Sequence, residues 1–177
     1  SSAASDVYKR QIAMIIASQN FRDEELLVPE KVFEKEGVSV EIFSSKKGKS
    51  RGMLGYTLKV ENVLEDLDVD KFDAIVFVGG IGAQEYWYNT RVFRIVQDAY
   101  RKEKVLGAIC IAPVIFANAG ILEGRRATCW SSEGKRLEAK GAIFTAGDVE
   151  VDDNIVTASG PHAAGTFARE ILKKLKK

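Results

Sequence analysis

Residues 105–120 read VLGAICIAPVIFANAG. The first five are an apolar run of strand length, which predicts a buried strand over Val105–Ile109. The next apolar run predicts a helix over Pro113–Ala119, because proline is favoured in the first turn of a helix and Gly120 follows its end. Cys110 therefore lies in a turn from a strand to a helix, a geometry that serves nucleophiles in other α/β proteins.

Cys110 is the first candidate for chemistry. A turn of this kind lifts the side chain out of the sheet and directs the free N–H groups and the positive dipole end of the next helix at it. Both favour the thiolate, so we expect a lowered pKa for Cys110. The alternative is a small buried residue that only fills the core, as most free cysteines do.

Strands and helices alternate along the rest of the chain. Because several predicted strands are continuous apolar runs, this pattern predicts an α/β fold with a mainly parallel sheet that is covered on both faces. The predicted strands are Gln11–Ser18, Val38–Phe43, Phe72–Val78, Arg126–Trp130 and a pair around Asp152–Asn154, and the predicted helices are Phe21–Glu36, Arg91–Glu103, Ser132–Lys140 and Ala163–Lys174.

Sites in such sheets lie beyond the carboxyl ends of the strands, which places four segments at one edge. These are the loop after Ser18, the Gly79-Gly80 loop, Cys110 and the loop that contains His162. Candidates far apart in sequence are therefore expected to meet there.

Glu25 is the candidate acid, because it is expected in the first turns of the helix after the first strand. A carboxyl beside a thiolate would be held partly protonated and could relay a proton. Pro29 cannot donate to the carbonyl of Glu25, so we also expect the helix to bend there. Alternatively, Glu25 is one of several acidic residues that decorate a helix N-terminus.

Three glycines follow the most apolar strand as Gly79-Gly80-Ile81-Gly82. Glycines let backbone N–H groups approach an anion or oxyanion, but a plain tight turn explains them equally well. The spacing of a dinucleotide fingerprint is absent. The aromatic residues at 86–88 are expected at a rim or a subunit contact.

His162 is the one histidine of the chain, so any Cys–His mechanism depends on it. It is either a base for Cys110 or an exposed loop histidine without a role. Cys129 is interpreted as a packing residue. With one histidine and no paired cysteine spacing, we expect no metal site.

The composition is that of an ordinary soluble protein, at 46% hydrophobic and 29% charged residues. A length of 177 residues predicts one domain over 11–177, and Ser1–Arg10 is expected to be a flexible tail, either native or artefactual. The net charge of +1 gives no reason to expect nucleic acid or an anionic membrane as partner. The apolar stretch Val105–Leu122 is too short and too interrupted for a membrane span. Two cysteines are too few for a disulfide framework, and a nucleophilic thiol implies a reducing compartment. The expected location is therefore the cytoplasm.

Four segments, in this order and spacing, resemble the DJ-1/PfpI (ThiJ/PfpI) superfamily. They are FRDEELLVP at 21–29, VGG at 78–80, AICIAP at 108–113 and NAGILEGR at 118–125. The resemblance implies a flavodoxin-like three-layer sandwich that forms a homodimer or higher oligomer. It also implies a nucleophile at Cys110, an acidic partner at Glu25 and oxyanion-binding backbone at Gly79, Gly80 and Ile111.

Ile111 departs from one branch of the superfamily. PfpI-type peptidases carry a histidine directly after the cysteine, and isoleucine cannot accept a thiol proton. The alternative histidine of the DJ-1-like branch falls near Trp130 and is also absent. The resemblance therefore points to the DJ-1-like branch, with His162 as an unassigned third member.

The expected function is a cofactor-independent cysteine enzyme that acts on small aldehydes or glycated groups, in the manner of a glyoxalase III or deglycase. Cys110 would be its nucleophile and Glu25 its proton relay. One alternative is a redox-responsive stress protein or chaperone that senses peroxide through Cys110. The other is a PfpI-type peptidase, which Ile111 disfavours.

Overall fold

A sheet of mostly parallel strands forms the centre of the molecule. The structure is a computed structural model that describes residues 8–176. Its strands are β1 (Gln11–Ile15), β2 (Ser39–Ser44), β3 (Gly48–Arg51), β4 (Thr57–Val60), β5 (Asn62–Val63), β6 (Ala74–Phe77), β7 (Val105–Ile109), β8 (Arg126–Ala127), β9 (Ile143–Phe144), β10 (Val149–Asp152) and β11 (Ile155–Ala158).

The strand order places the site edge. The main sheet has seven strands in the order β10-β11-β7-β6-β1-β2-β5, with β10 and β11 antiparallel and the other neighbours parallel. Strands β1, β2, β6, β7 and β11 therefore follow the flavodoxin-like 2-1-3-4-5 order, with its switch point between β1 and β6. The loops after β1, β6 and β7 leave the sheet at this one edge, as the sequence predicts.

Helices cover both faces of the sheet and complete a three-layer sandwich. They are α1 (Asp23–Lys35), α2 (Thr90–Arg101), α3 (Pro113–Asn118), α4 (Gly134–Ala139) and α5 (Ala164–Leu175). Helices α1 and α5 pack together on one face, and α2, α3 and α4 lie on the other. Gly107 allows α5 to approach β7, because a Cβ at this position would lie 2.8 Å from Ile171 Cδ1.

The predicted α/β class and mainly parallel sheet are confirmed, whereas several short strands were not anticipated. The predicted elements do not include the β3–β4 hairpin, β5 or β9. The strand predicted over Arg126–Trp130 is only the two residues of β8. Residues 128–130 do not continue this strand, because the N–H of Trp130 donates to the carbonyl of Cys110 instead, at 2.8 Å.

The expectation of a surface role for the aromatic run is wrong for two of its three members. Tyr86 and Trp87 are buried, and only Tyr88 is exposed. The hydroxyl of Tyr86 donates to the carbonyl of Ile16, and the indole N–H of Trp87 donates to the carbonyl of Ile111. Both side chains thus find polar partners in the interior and support the site from beneath.

Two expectations from the sequence concern the ends of the chain and the long apolar stretch. Ser1–Val7, most of the predicted tail, and Lys177 lie outside the described residues. No helix within residues 8–176 is both long and apolar enough to span a bilayer. The apolar stretch Val105–Leu122 is divided between β7 and α3.

Candidate functional site

Cys110 occupies a strained turn at the end of β7. Its φ is +66°, in the left-handed region that costs a residue with a side chain about 1–2 kcal/mol. Two hydrogen bonds hold this conformation, one from its N–H to the carbonyl of Ala158 at 2.9 Å and one from the N–H of Trp130 to its own carbonyl at 2.8 Å. The turn presents the sulfur to a pocket, although only 9% of the residue is exposed.

Glu25 lies against Cys110, as the sequence predicts. It belongs to the first turn of α1 and is fully buried. Neither carboxyl oxygen makes a hydrogen bond of ordinary distance and angle among the described residues, although the Cys110 thiol and the Gly79 amide lie close enough to lower its pKa. Burial of this kind favours the neutral form of the acid.

Burial sets the protonation of both groups. It raises the pKa of Glu25 to about 8, with opposing contributions from Cys110 and Gly79. It raises the pKa of Cys110 to about 12, and the charge of Glu25 adds to the rise. Beside a charged Glu25 the thiol therefore has a raised pKa and not the expected lowered one, because desolvation and the acidic neighbour outweigh the N-terminus of α3, a helix of only six residues.

Two of the three predicted oxyanion residues lie near the sulfur. The backbone amides of Gly80 and Ile111 both lower the pKa of Cys110, so they favour a negative charge there. The peptide that carries the Ile111 N–H is fixed through its carbonyl, which belongs to Cys110 and accepts from Trp130. Gly79 is placed differently, because its N–H lies near Glu25 and its carbonyl accepts from the N–H of Arg22.

The pocket beside Cys110 has a volume of about 300 Å³. Apolar side chains dominate its mouth, and Met53, Ile81 and Trp130 are each substantially exposed there. Arg22 supplies a positive charge to the wall, where it is paired with Glu24 at 2.8 Å. The space suits a small molecule with a polar reacting end.

His162 lies at the same sheet edge but not beside Cys110. It lines a second depression that shares Trp130 with the Cys110 pocket. Its Nε2 contacts both Asp148 Oδ1 at 3.1 Å and Ser159 Oγ at 3.3 Å. Since both contacts use one ring nitrogen, the imidazole does not connect serine to aspartate in the manner of a catalytic triad.

Cys129 is buried, and its Sγ donates to the carbonyl of Trp130 at 3.3 Å. Burial raises its pKa to about 12, as for an inert core thiol. Within residues 8–176, no three or more His, Cys, Asp or Glu side chains are grouped so as to hold a metal ion.

Sequence reasoning missed the residues that shape the pocket mouth. Met53 belongs to the β3–β4 hairpin, which the sequence does not predict. Trp130 lies outside the strand that the sequence predicts for it. Asp23, in the first turn of α1, is buried, with each carboxyl oxygen accepting a backbone N–H from that hairpin. The one sequence signal for this turn is the pair of glycines Gly52 and Gly55 on either side of Met53 and Leu54, a spacing that is typical of a turn.

Gly79→Ala is expected to disrupt the site and the fold together. A Cβ here would lie 2.4 Å from Glu25 Oε1, 2.5 Å from Cys110 Cβ and 2.5 Å from the Ile109 carbonyl oxygen. We expect a loss of about 3 kcal/mol in the free energy of unfolding, measured by urea denaturation, because the backbone cannot give way.

Gly147→Ala is the matched control. Its φ is not positive and the nearest atom to its Cβ would be 3.8 Å away, so we expect a change within about 0.5 kcal/mol. Equal stability of the two variants would show that the close approach at Gly79 is not required.

Comparison with known proteins gives consistent matches over almost the whole chain. The model of the DJ-1/PfpI family matches residues 10–174. An uncharacterised protein of Methanocaldococcus jannaschii is 44% identical over 94% of this chain and 83% of its own length. A deglycase of Pyrococcus abyssi is 31% identical over 92% of this chain and 98% of its own. The crystal structure of a ThiJ/PfpI domain protein from Brachyspira murdochii superposes with a TM-score of 0.92 at 33% identity, covering 96% of this chain and 98% of that one.

Proposed function

Because this chain belongs to the DJ-1/PfpI family, we propose that it is a cysteine enzyme that converts small reactive carbonyls such as methylglyoxal to 2-hydroxy acids. The observation that carries the proposal is the contact between Cys110 in its strained turn and the buried acid Glu25, beside a pocket of about 300 Å³. A nucleophile and a proton donor thus face the same small space.

Addition to the aldehyde is the first step. In the singly ionised pair, the Cys110 thiolate forms a bond to the aldehyde carbon, and the electron pair of the C=O double bond moves to oxygen. The amides of Gly80 and Ile111 stabilise the developing charge on that oxygen. Glu25 holds the proton that completes the hemithioacetal, since its raised pKa keeps it protonated at neutral pH.

Glu25 then works as a base. Its carboxylate removes the hydrogen on the former aldehyde carbon as a proton, which gives an enediolate. The proton then returns to the neighbouring carbon, and the hydroxyl proton passes from the first oxygen to the second. The product is a 2-hydroxyacyl thioester on Cys110, and water hydrolyses it to the 2-hydroxy acid and the free thiol. The net change is the addition of one water, so the reaction needs no external oxidant or reductant and, on this proposal, no cofactor.

Two further features support a small carbonyl as substrate. The Pyrococcus abyssi relative is named a deglycase, an activity on carbonyl adducts. The pocket is small and mostly apolar at its mouth, which fits a short carbon chain better than a peptide.

The direct test is lactate formation from methylglyoxal by the purified protein. We expect turnover above that of the same concentration of free cysteine, because a free thiol forms the hemithioacetal but lacks the positioned acid. Consumption of methylglyoxal without lactate, or lactate at the free-thiol rate, would contradict the proposal.

The pH dependence of alkylation tests how the pair shares its charge. The pair loses its first proton with a pKa of about 8, and the pKa of about 12 for Cys110 is that of the thiol beside an already charged Glu25. We propose that the charge of the singly ionised pair lies on sulfur, since the Gly80 and Ile111 amides face it while the carboxyl oxygens make no ordinary hydrogen bond within residues 8–176. Alkylation of Cys110 by iodoacetamide in a Cys129→Ser background should then rise with pH to a midpoint near 8.

Glu25→Gln removes the acid from this pair. The midpoint should move above the usual pKa of a thiol, because the burial of Cys110 remains. A wild-type midpoint near 12 would instead place the charge on Glu25 and leave the sulfur protonated during catalysis.

A redox-responsive protein is the second candidate. The observation that favours it is the protonated Glu25, which can donate a hydrogen bond to an oxygen on an oxidised Cys110. Two molecules of hydrogen peroxide would convert the thiol to a sulfinate and release two of water. Addition of two oxygens at Cys110 at low peroxide, followed by intact mass, together with no turnover of methylglyoxal, would favour this candidate over the first.

The peptidase alternative has less support. Ile111 supplies no base, and the imidazole of His162 is engaged by Asp148 and Ser159 in the neighbouring depression. It predicts cleavage of an unstructured protein such as casein that depends on both Cys110 and His162, and we expect none.

A further inference from the structure

The turn of the β3–β4 hairpin is fastened to the start of α1. The turn comprises residues 52–56, here called the hairpin turn. Asp23 accepts the N–H of Leu54 at Oδ1 and the N–H of Tyr56 at Oδ2, at 2.9 and 2.8 Å. Because Asp23 is only 5% exposed, these two charge-assisted bonds are shielded from water and hold the turn in one position.

Two further contacts leave the hairpin turn little freedom. The N–H of Met53 donates to the carbonyl of Phe21 at 2.8 Å. Gly52 approaches Asp23 so closely that a Cβ on it would lie 2.3 Å from Oδ1. The turn therefore follows the position of residues 21–23, two residues before Glu25.

This arrangement places the Met53 side chain at the mouth of the Cys110 pocket. Met53 is 43% exposed and lines that pocket, and its sulfur accepts the N–H of Ile81 at 3.5 Å. Ile81 directly follows Gly80, whose amide faces Cys110. A flexible thioether is thus held across the entrance from the hairpin to the glycine loop.

We infer that Met53 determines the size of the molecules that reach Cys110, and that Asp23 is the positioning residue which keeps Met53 there. Five of the residues that line the pocket are exposed, namely Met53, Ile81, Gln84, Trp130 and Ser132. Of these, Met53 is the one that lies in a turn fixed from outside the pocket by a buried carboxylate, through the N–H groups of Leu54 and Tyr56. Shortening its side chain opens the entrance without altering Cys110 or Glu25.

The test compares two maleimides that share one reactive group and differ in size. N-methylmaleimide and N-(1-pyrenyl)maleimide are reacted with Cys110 in a Cys129→Ser background, and the ratio of the two rates is measured. This readout requires a reactive sulfur but no carbonyl turnover, so its failure and the failure of the proposed function can be told apart.

Met53→Ala should raise the relative rate of the pyrenyl reagent by about tenfold or more, with the rate of the methyl reagent nearly unchanged. Met53→Leu keeps the bulk of the side chain and should retain the wild-type ratio. Leu54→Ala is the matched control, because Leu54 lies in the same turn at 63% exposure but does not line the pocket.

Asp23→Asn tests the positioning residue. An asparagine offers one acceptor oxygen where the turn requires two, so one of the Leu54 and Tyr56 amides loses its partner. The rate ratio should move in the same direction as in Met53→Ala, by less, and combining the two substitutions should add little.

An unchanged ratio in Met53→Ala overturns the inference, whatever the stability of the Asp23 variant. A shifted ratio in Met53→Ala with an additive further shift on adding Asp23→Asn would show that Asp23 acts through something other than Met53. That result would overturn its assignment as the positioning residue.

Discussion

Cys110→Ser is expected to lower the rate of lactate formation from methylglyoxal by at least about a thousandfold. A serine hydroxyl fits the same left-handed turn, since the φ of +66° is set by the backbone bonds to Ala158 and Trp130. Its far weaker acidity leaves no usable nucleophile next to Glu25. The loss should therefore be chemical, with the thermal unfolding temperature nearly unchanged.

Cys129→Ser is the matched control for this prediction. Cys129 is also buried, and its sulfur donates to the carbonyl of Trp130, a hydrogen bond that a hydroxyl can also make. Activity within about twofold of wild type is expected. If both variants lost activity alike, or if Cys110→Ser retained it, the nucleophile would have to be sought elsewhere.

The central part of the fold was predictable because its residues leave few alternatives. The strand over Val105–Ile109 was placed at its exact bounds by an uninterrupted apolar run, and α3 begins at Pro113 as expected. Strands β1, β2 and β6 were found with errors of a few residues at their ends. Such runs are buried on both faces of a parallel sheet, so composition alone marks them.

The β3–β4 hairpin could not be found in this way. Its strands contain Lys49, Arg51 and Lys59 and form a two-stranded sheet outside the main one. Its stability depends on contacts with residues 21–23, and these lie more than 25 positions away in sequence. Because Met53 belongs to this hairpin, its place at the mouth of the Cys110 pocket could not be predicted either.

The chemistry of the site was partly predictable. The positions of Cys110 and Glu25 follow from the strand-to-helix turn and the sheet edge, and the structure brings them together. The direction in which the pKa of the thiol shifts could not be predicted from the sequence, because burial depends on the whole fold. His162 was correctly placed at the edge, yet Trp130 separates its depression from the cysteine, a detail that no local pattern encodes.

Strain and burial at this site act against the stability of the protein. The left-handed turn at Cys110 and the burial of the Glu25 carboxyl are both unfavourable, and the hydrogen bonds to Ala158 and from Trp130 hold the turn in place. Such features persist when the rest of the fold determines them, and they are typical of functional sites. Removing one of them should therefore stabilise the protein while it impairs the chemistry.

Glu25→Gln is the substitution that shows this most clearly. In wild type the pKa of Glu25 rises from 4.5 to about 8 on folding, so the folded state holds a proton that the unfolded chain releases. The free energy of unfolding should therefore fall as pH rises from about 5 to 8, and the variant, which has no ionising group there, should not show this fall. The difference in the free energy of unfolding between variant and wild type should change by about 3 kcal/mol over this range, with the variant the more stable protein at pH 8.

Urea denaturation at pH 5 and at pH 8 measures this difference, and all other titrating groups cancel between the two proteins. Glu24→Gln is the matched control, because Glu24 lies at the surface in an ion pair with Arg22 and should change stability by less than about 1 kcal/mol at either pH. At pH 8 the Glu25→Gln protein should form lactate at least about a hundredfold more slowly than wild type, since the proton relay is lost. A parallel fall in stability with pH in wild type and variant would show that Glu25 is ionised in the folded protein, and the proton it is proposed to supply would then be missing.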